Sequence, residues 1–303
     1  MAEWTKSQQK LEGFLSPSMH PGLAWLEATP VGRAWLERLP RLVDECARQW
    51  SLRVGSPYPY ARASLALPAT MSDGAGIVLK VQFPDRESEH EAAALAAWDG
   101  DGAVRLIAHD PGRHALLLER CDPGTPLSAL EPEAALAVVI GLLPRLWKPV
   151  GEPFRPLADE AAWWAGNLAG SWERAGRPFE RRLLDAALDL LETLPASQGD
   201  PVLLHQDLHA DNVLRAGREP WLVIDPKPLA GEREFGIVAL VRGGELGEGR
   251  RAVLHRLDRL TGELGLDRDR ARGWTLVQTL AWAFDGIEVW PEHVELARWL
   301  AQG

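Results

Sequence analysis

The stretch LLHQDLHADNVL, Leu203 to Leu214, places two histidines, two aspartates and one asparagine between apolar runs. Three kinds of local structure fit such a composition: a metal cage, a catalytic loop, or a polar turn joining two strands. The positions narrow the choice, because His205, Asp207 and Asn212 stand at the spacing H-x-D-x-x-x-x-N. In phosphoryl transfer a loop of that spacing supplies a carboxylate that accepts or orients the proton of the acceptor hydroxyl. Further along, it supplies an amide oxygen for the metal on the phosphates. Asp207 is the candidate for the first role and Asn212 for the second.

The rivals explain less. A cage built on His205, Asp207, His209 and Asp211 needs further ligands, and His20, His90, His109, His114, His255 and His293 are scattered without cluster spacing. A polar turn accounts for aspartate and asparagine through side-chain to backbone hydrogen bonds. It leaves unexplained Asp225, which ends the apolar run PWLVID, and Lys80, which sits inside IVLKVQF.

The order of segments around the loop supports the catalytic reading. Thr29 and Pro30 suit the N-cap and first position of a helix, and apolar spacing toward Trp50 predicts two helices broken near Pro40. Tyr58 to Phe83 reads as antiparallel sheet, with the glycines of SDGAG, Ser72 to Gly76, for a tight turn. A helix follows from about Arg86 to Trp98, then two strands in AVRLIAHD and HALLLER. CDPGTPL, Cys121 to Leu127, breaks the periodicity, and helical patterns run from there to about residue 195. The strands PVLLH, NVLRAG and PWLVID interrupt them before helices resume from about Glu232 to Ala301. The expected organisation is α+β: a small antiparallel-sheet N-terminal lobe over residues 1–120 with leading helices, and a larger, mainly helical lobe over 121–303.

Composition limits the partners. The formal net charge of -10 and the lack of any Lys/Arg cluster argue against a nucleic-acid surface. Cys46 and Cys121 are too few for a disulfide framework. The N-terminus lacks a leader pattern, and no segment approaches the roughly 20 apolar residues of a membrane span, so a cytoplasmic protein is expected. The 14 tryptophans stand mostly in helical patterns and are read as core.

HQDLHADNVL together with VIDPKPLAGEREF resembles the aminoglycoside and hydroxyurea phosphotransferases, the streptomycin-kinase branch of the aminoglycoside phosphotransferase family within the protein-kinase-like superfamily. The likeness runs from about Trp50 to the C-terminus. It implies a bilobal protein-kinase-like fold, ATP or GTP with Mg2+, and transfer to a hydroxyl of a small molecule, with antibiotic resistance as a family role. Residue by residue it implies Asp207 as the catalytic aspartate, Asn212 and Asp225 as magnesium ligands, Lys80 on the nucleotide phosphates and Glu91 as its partner. It also implies that the nucleotide base meets the backbone of Glu119, Arg120 and Cys121. Lys227, in DPKP, is open to either a phosphate contact or a surface role.

Two features depart from the pattern. No G-x-G-x-x-G covers the phosphates, where ASLALPAT, Ala63 to Thr70, stands instead, so weak ATP binding is expected. The family's aspartate after the aromatic of GEREF is Gly236 here, which predicts a loosened catalytic loop. These departures motivate one alternative, a nucleotide-binding regulator that has lost transfer. The acceptor site is expected near WAFDGIEVWPEHVE, where Asp285, Glu288, Glu292 and Glu295 beside Trp282 and Trp290 would suit a cationic acceptor. The same acids read equally as a solvated helix face.

Overall fold

The computed structural model describes residues 21–59 and 62–302. The N-terminal stretch screened for a leader lies outside them. The chain divides into two compact units: Val104–Cys121 with the described residues up to Gly100, and Asp101–Ala103 with everything from Asp122 on.

The first unit is a five-stranded antiparallel sheet in the order β1-β2-β3-β5-β4, formed by β1 (Arg53–Val54), β2 (Ser64–Thr70), β3 (Gly76–Gln82), β4 (Leu106–Asp110) and β5 (Ala115–Glu119). Helix α1 (Pro30–Gln49) packs on it, capped by the Thr29 hydroxyl, which accepts from the Gly32 N–H at 3.0 Å. It is one helix, not two broken at Pro40. Trp35, Leu39, Leu42, Val43 and Cys46 form a continuous buried face through the proline. That face packs with Leu65, Leu67, Ile77 and Leu79, and its burial outweighs the hydrogen bond the proline forfeits. Helix α2 (Glu91–Trp98) begins later than the pattern predicts, because the Asp85 carboxylate accepts from the N–H groups of Glu87 and Ser88 and holds those residues in a turn. ASLALPAT, expected to cover phosphates, is not a turn: its alternating apolar residues pair as β2 with β3, Ala66 opposite Lys80.

The second unit is mainly helical: α3 (Pro132–Leu146), α4 (Leu157–Arg174), α5 (Arg181–Thr193), α6 (Val238–Arg242), α7 (Gly249–Leu264), α8 (Arg268–Ala281) and α9 (Pro291–Ala301). Two short antiparallel pairs interrupt the helices: β6 (Val202–Leu204) with β9 (Leu229–Gly231), and β7 (Val213–Arg215) with β8 (Trp221–Val223). Strand β9 is not apparent in the sequence, whose prolines at 226 and 228 disguise it. The segment expected as helix near residue 285 holds a hairpin, β10 (Phe284–Asp285) with β11 (Glu288–Val289), turning at Gly286, where φ is 64°.

Aromatic contacts fill this core: Trp164 stacks on Phe235 with centroids 6.0 Å apart, and Phe235 meets Trp274 edge-on at 5.5 Å. Trp35, Trp98, Trp147, Trp164, Trp172 and Trp274 are buried as the helical patterns imply, whereas Trp25, Trp163 and Trp290 are exposed. Glu232 is buried against Arg270 at 2.8 Å and the Trp274 indole N–H. Gly236 lies so close to Trp147 that a Cβ there would stand 2.6 Å from the indole Nε1. A side chain at 236 must therefore displace a buried ring. Gly236→Asp is expected to destabilise the protein by about 1–3 kcal/mol through overpacking, read as a lower urea midpoint at unchanged m-value.

Candidate active site

In the first unit, Lys80 sits mid-strand in β3, between Ala66 of β2 and Leu116 of β5. Its ammonium is 2.8 and 2.6 Å from the two Glu91 carboxylate oxygens, and both side chains are almost wholly buried. Gln82 also donates to Glu91, at 2.6 Å. Its place two residues beyond Lys80, on the same strand face, is the signal that sequence reasoning passed over. Glu89 is exposed and Glu87 half-buried. Glu119 ends β5, its N–H bonded to the Arg105 carbonyl at 2.9 Å and its carboxylate accepting from the Arg105 N–H at 3.0 Å. Arg120 is exposed and Cys121 half-buried.

In the second unit, the polar loop runs from β6 to β7, and the chain returning from β8 to β9 is bonded alongside it. The Ile224 N–H donates to the Asn212 carbonyl at 2.9 Å, and the Lys227 N–H donates to the His205 carbonyl at 3.0 Å. These bonds bring Asn212 beside the residue preceding Asp225. The Asn212 amide nitrogen donates to the Asp207 carbonyl at 2.9 Å, so its oxygen is the end left to serve as an acceptor. Asp225 adopts a left-handed backbone, φ 56°, which aspartate tolerates better than most residues.

His205 orients the loop. Its Nε2–H donates to the Ile224 carbonyl at 2.8 Å, and burial lowers its pKa to about 4, so the ring is neutral. A cage with His205 as ligand does not form. His209, Asp211 and Glu245 do place one ligand atom each within 4.8 Å of one another, but Asp211 also accepts from the Ser128 hydroxyl, and both acids are exposed.

Asp207 has close cations. Lys227 Nζ is 3.1 Å from one carboxylate oxygen and an Arg242 nitrogen 3.5 Å from the other. Burial alone would raise this carboxyl, but the charges of Lys227 and Arg242 and the hydrogen bond from Lys227 help hold the pKa at about 2. Arg242, which sequence reasoning missed, ends the apolar run IVALV, and a single charge in that setting is the signal that could have found it. Gly236 carries no side chain to tether the catalytic loop, and a residue of α8 approaches the loop instead. Gln278 of α8, fully buried, donates to the Gln206 carbonyl at a long 3.5 Å and accepts from Arg242 at 2.8 Å.

The acids proposed for a cationic acceptor, Asp285, Glu288, Glu292 and Glu295, are all exposed, as on a solvated face, and they divide between the hairpin and α9. A groove of about 480 Å³ between α4 and the hairpin is lined by Trp163, Asn167, Ser171, Arg174, Phe284 and Ile287, and Asp207, Asn212 and Asp225 take no part in it. Among the described residues no helix is long and apolar enough to cross a membrane.

Residues 49–286 match the family described as aminoglycoside/hydroxyurea antibiotic resistance kinase. The chain is 47% identical to a hydroxyurea phosphotransferase of Kitasatospora aureofaciens, over 85% of this chain and 77% of that protein. It is 38% identical to a streptomycin 6-kinase of Streptomyces griseus, over 89% and 92% respectively. A choline kinase of Streptococcus pneumoniae, 13% identical, aligns with a TM-score of 0.63 over 88% of this chain and 100% of its own, which shows a protein-kinase-like fold.

Two outcomes follow from the buried charges. Glu91→Ala strands the Lys80 ammonium and is expected to cost about 3–5 kcal/mol in chemical denaturation. For His205, the unfolded chain takes up a proton below its ordinary pKa of 6.5, which the folded protein refuses until pH falls to about 4. Stability should thus decline across that window by up to about 3 kcal/mol. Set against wild type, His205→Asn should show a shallower fall in melting temperature from pH 6.5 to 4.

Proposed function

This chain belongs to the aminoglycoside/hydroxyurea antibiotic resistance kinase family, and we propose that it transfers the γ-phosphoryl group of ATP, with Mg2+, to a hydroxyl of a small acceptor. Phosphoryl transfer to a small molecule is the chemistry of its relatives, and nothing in the site favours a binding-only regulator. The observation that supports the reading is the hydrogen bonding between the two segments that carry Asp207 and Asn212 on one side and Asp225 on the other.

The residues fit a magnesium ion. Asn212 and Asp225 offer oxygen donors only, and magnesium takes one or two such ligands while keeping waters and phosphate oxygens. When bound, the ion neutralises charge developing on the transferred group. Asp207, ionised throughout the neutral range, accepts a hydrogen bond from the acceptor hydroxyl and aligns it for attack. In the first unit Lys80, oriented by Glu91 and Gln82, would bind nucleotide phosphates, and the backbone of Glu119, Arg120 and Cys121 would meet the base. GTP is the other nucleotide the same contacts would serve. The proposed setting is the cytoplasm, in keeping with Cys46 and Cys121, which form no disulfide.

Hydroxyurea and streptomycin, the acceptors named for the relatives, are the first to test, by ADP release and by a mass gain of one phosphoryl group. Asp207→Ala should lower turnover by about 10²–10⁴-fold while Mg-ATP still raises the melting temperature. Asp225→Ala should abolish the magnesium-dependent part of that shift. Unchanged turnover in the first variant would remove Asp207 from its role.

A further inference from the structure

Immediately before Asp207 the backbone bends in an unfavourable sense. The Asp207 N–H donates to the His205 carbonyl at 2.8 Å, closing a three-residue turn around Gln206, whose φ is 62°. A positive φ makes this the classic γ-turn, the rare and strained hand. The inverse γ-turn closes with the same bond at negative φ and is the form that L residues prefer. The peptide groups around the turn are tied down. The His205 carbonyl also accepts from the Lys227 N–H at 3.0 Å, and the Asp207 carbonyl accepts from the His209 N–H at 3.0 Å and from the Asn212 amide at 2.9 Å. Glycine would take this φ without strain, yet the position carries a long side chain that is only 3% exposed. Neither Nε2 nor Oε1 of that side chain has a hydrogen-bond partner among the described residues.

We propose that Gln206 is a positioning residue that acts through its shape: its buried side chain is a wedge that locks the γ-turn in the strained hand and so fixes the direction in which Asp207 leaves the turn. The proposal rests on the reading of Asp207 as the carboxylate that meets the acceptor hydroxyl. Inverting the turn would carry the Gln206 side chain to the other face of the backbone, out of the place where it is buried. Its methylenes would lose that burial, which opposes the preference of the backbone for the inverse form. A glycine here has no Cβ to hold either hand and populates both signs of φ about equally. The amide makes no bond to the described protein, which separates a wedge from a hydrogen-bonding role. An apolar side chain of similar length therefore serves the same purpose. Placement counts at this point, because moving a reacting group by about 1 Å can cost about 10²-fold in rate.

The experiment compares wild type with Gln206→Gly, Gln206→Ala and Gln206→Met. Hydroxyurea and streptomycin are the acceptors, kcat and the KM for Mg-ATP are read by ADP release, and amide hydrogen exchange is followed over residues 203–212. Gln206→Gly and Gln206→Ala are expected to lower kcat by about 10–10²-fold while the KM for Mg-ATP stays within about twofold, and Gln206→Met to restore kcat. The Asp207 amide should exchange faster in Gln206→Gly than in wild type or Gln206→Met, at an unchanged urea midpoint. Should the glycine variant fail to fold, the alanine and methionine variants carry the same comparison. A loss in Gln206→Met equal to that in Gln206→Gly would assign the effect to the amide and overturn the wedge, as would wild-type kcat in Gln206→Gly. Asp207→Ala separates the wedge from the reading beneath it. Unchanged turnover in Asp207→Ala removes Asp207 from its role, whereas lost turnover there beside a fully active Gln206→Gly removes only the wedge. If wild type phosphorylates neither acceptor, hydrogen exchange decides alone, and equal protection of Asp207 in wild type and Gln206→Gly overturns the proposal.

Discussion

The constraint on which the second unit depends is the cross-bonding of two irregular segments, His205 to Asn212 and Ile224 to Lys227. Neither segment is helix or strand for most of its length, so their backbone groups must find partners elsewhere. They find them in each other. His205 lends its carbonyl to Lys227 and its ring to Ile224, while Asn212 lends its carbonyl to Ile224 and its amide to Asp207. The positions proposed for the chemistry, 207, 212, 225 and 227, are thereby set relative to one another by main-chain bonds together with those of the His205 and Asn212 side chains.

Buried charge is handled in three different ways in this molecule. Lys80 is matched by a carboxylate that Gln82 also steadies. Arg256, almost fully buried, donates to four carbonyl oxygens, and its burial draws its pKa down to about 10. Asp207 has a cation near each carboxylate oxygen, Lys227 on one and Arg242 on the other. The first arrangement makes a rigid donor, the second a rigid loop, and the third a carboxylate that stays ionised. Each suits a site that acts through position and electrostatics, with no covalent step asked of the protein.

Much of this was legible in the chain itself. The spacing of His205, Asp207 and Asn212, the aspartate closing PWLVID, and a lysine in an apolar strand followed by a glutamate-bearing helix are local patterns, and they led to the family and the fold. What escaped was non-local. Gln82 mattered only once β3 faced α2, and Arg242 and Gln278 are joined across 36 residues. Strand β9 was hidden by flanking prolines, and α1 ran through Pro40 because its buried face is continuous on both sides. The hairpin at 284–289 broke a pattern whose acids looked helical because the charges beyond it, in α9, are.

The contact between Gly236 and Trp147 also bears on how this loop can change over generations. A glycine pressed against a buried indole makes the two positions a linked pair, in which the benefit of a change at one depends on what stands at the other. An acidic tether could be acquired at 236 only after the indole had given way, and losing the indole first would leave a void beside the loop. The order of mutational steps is thereby restricted.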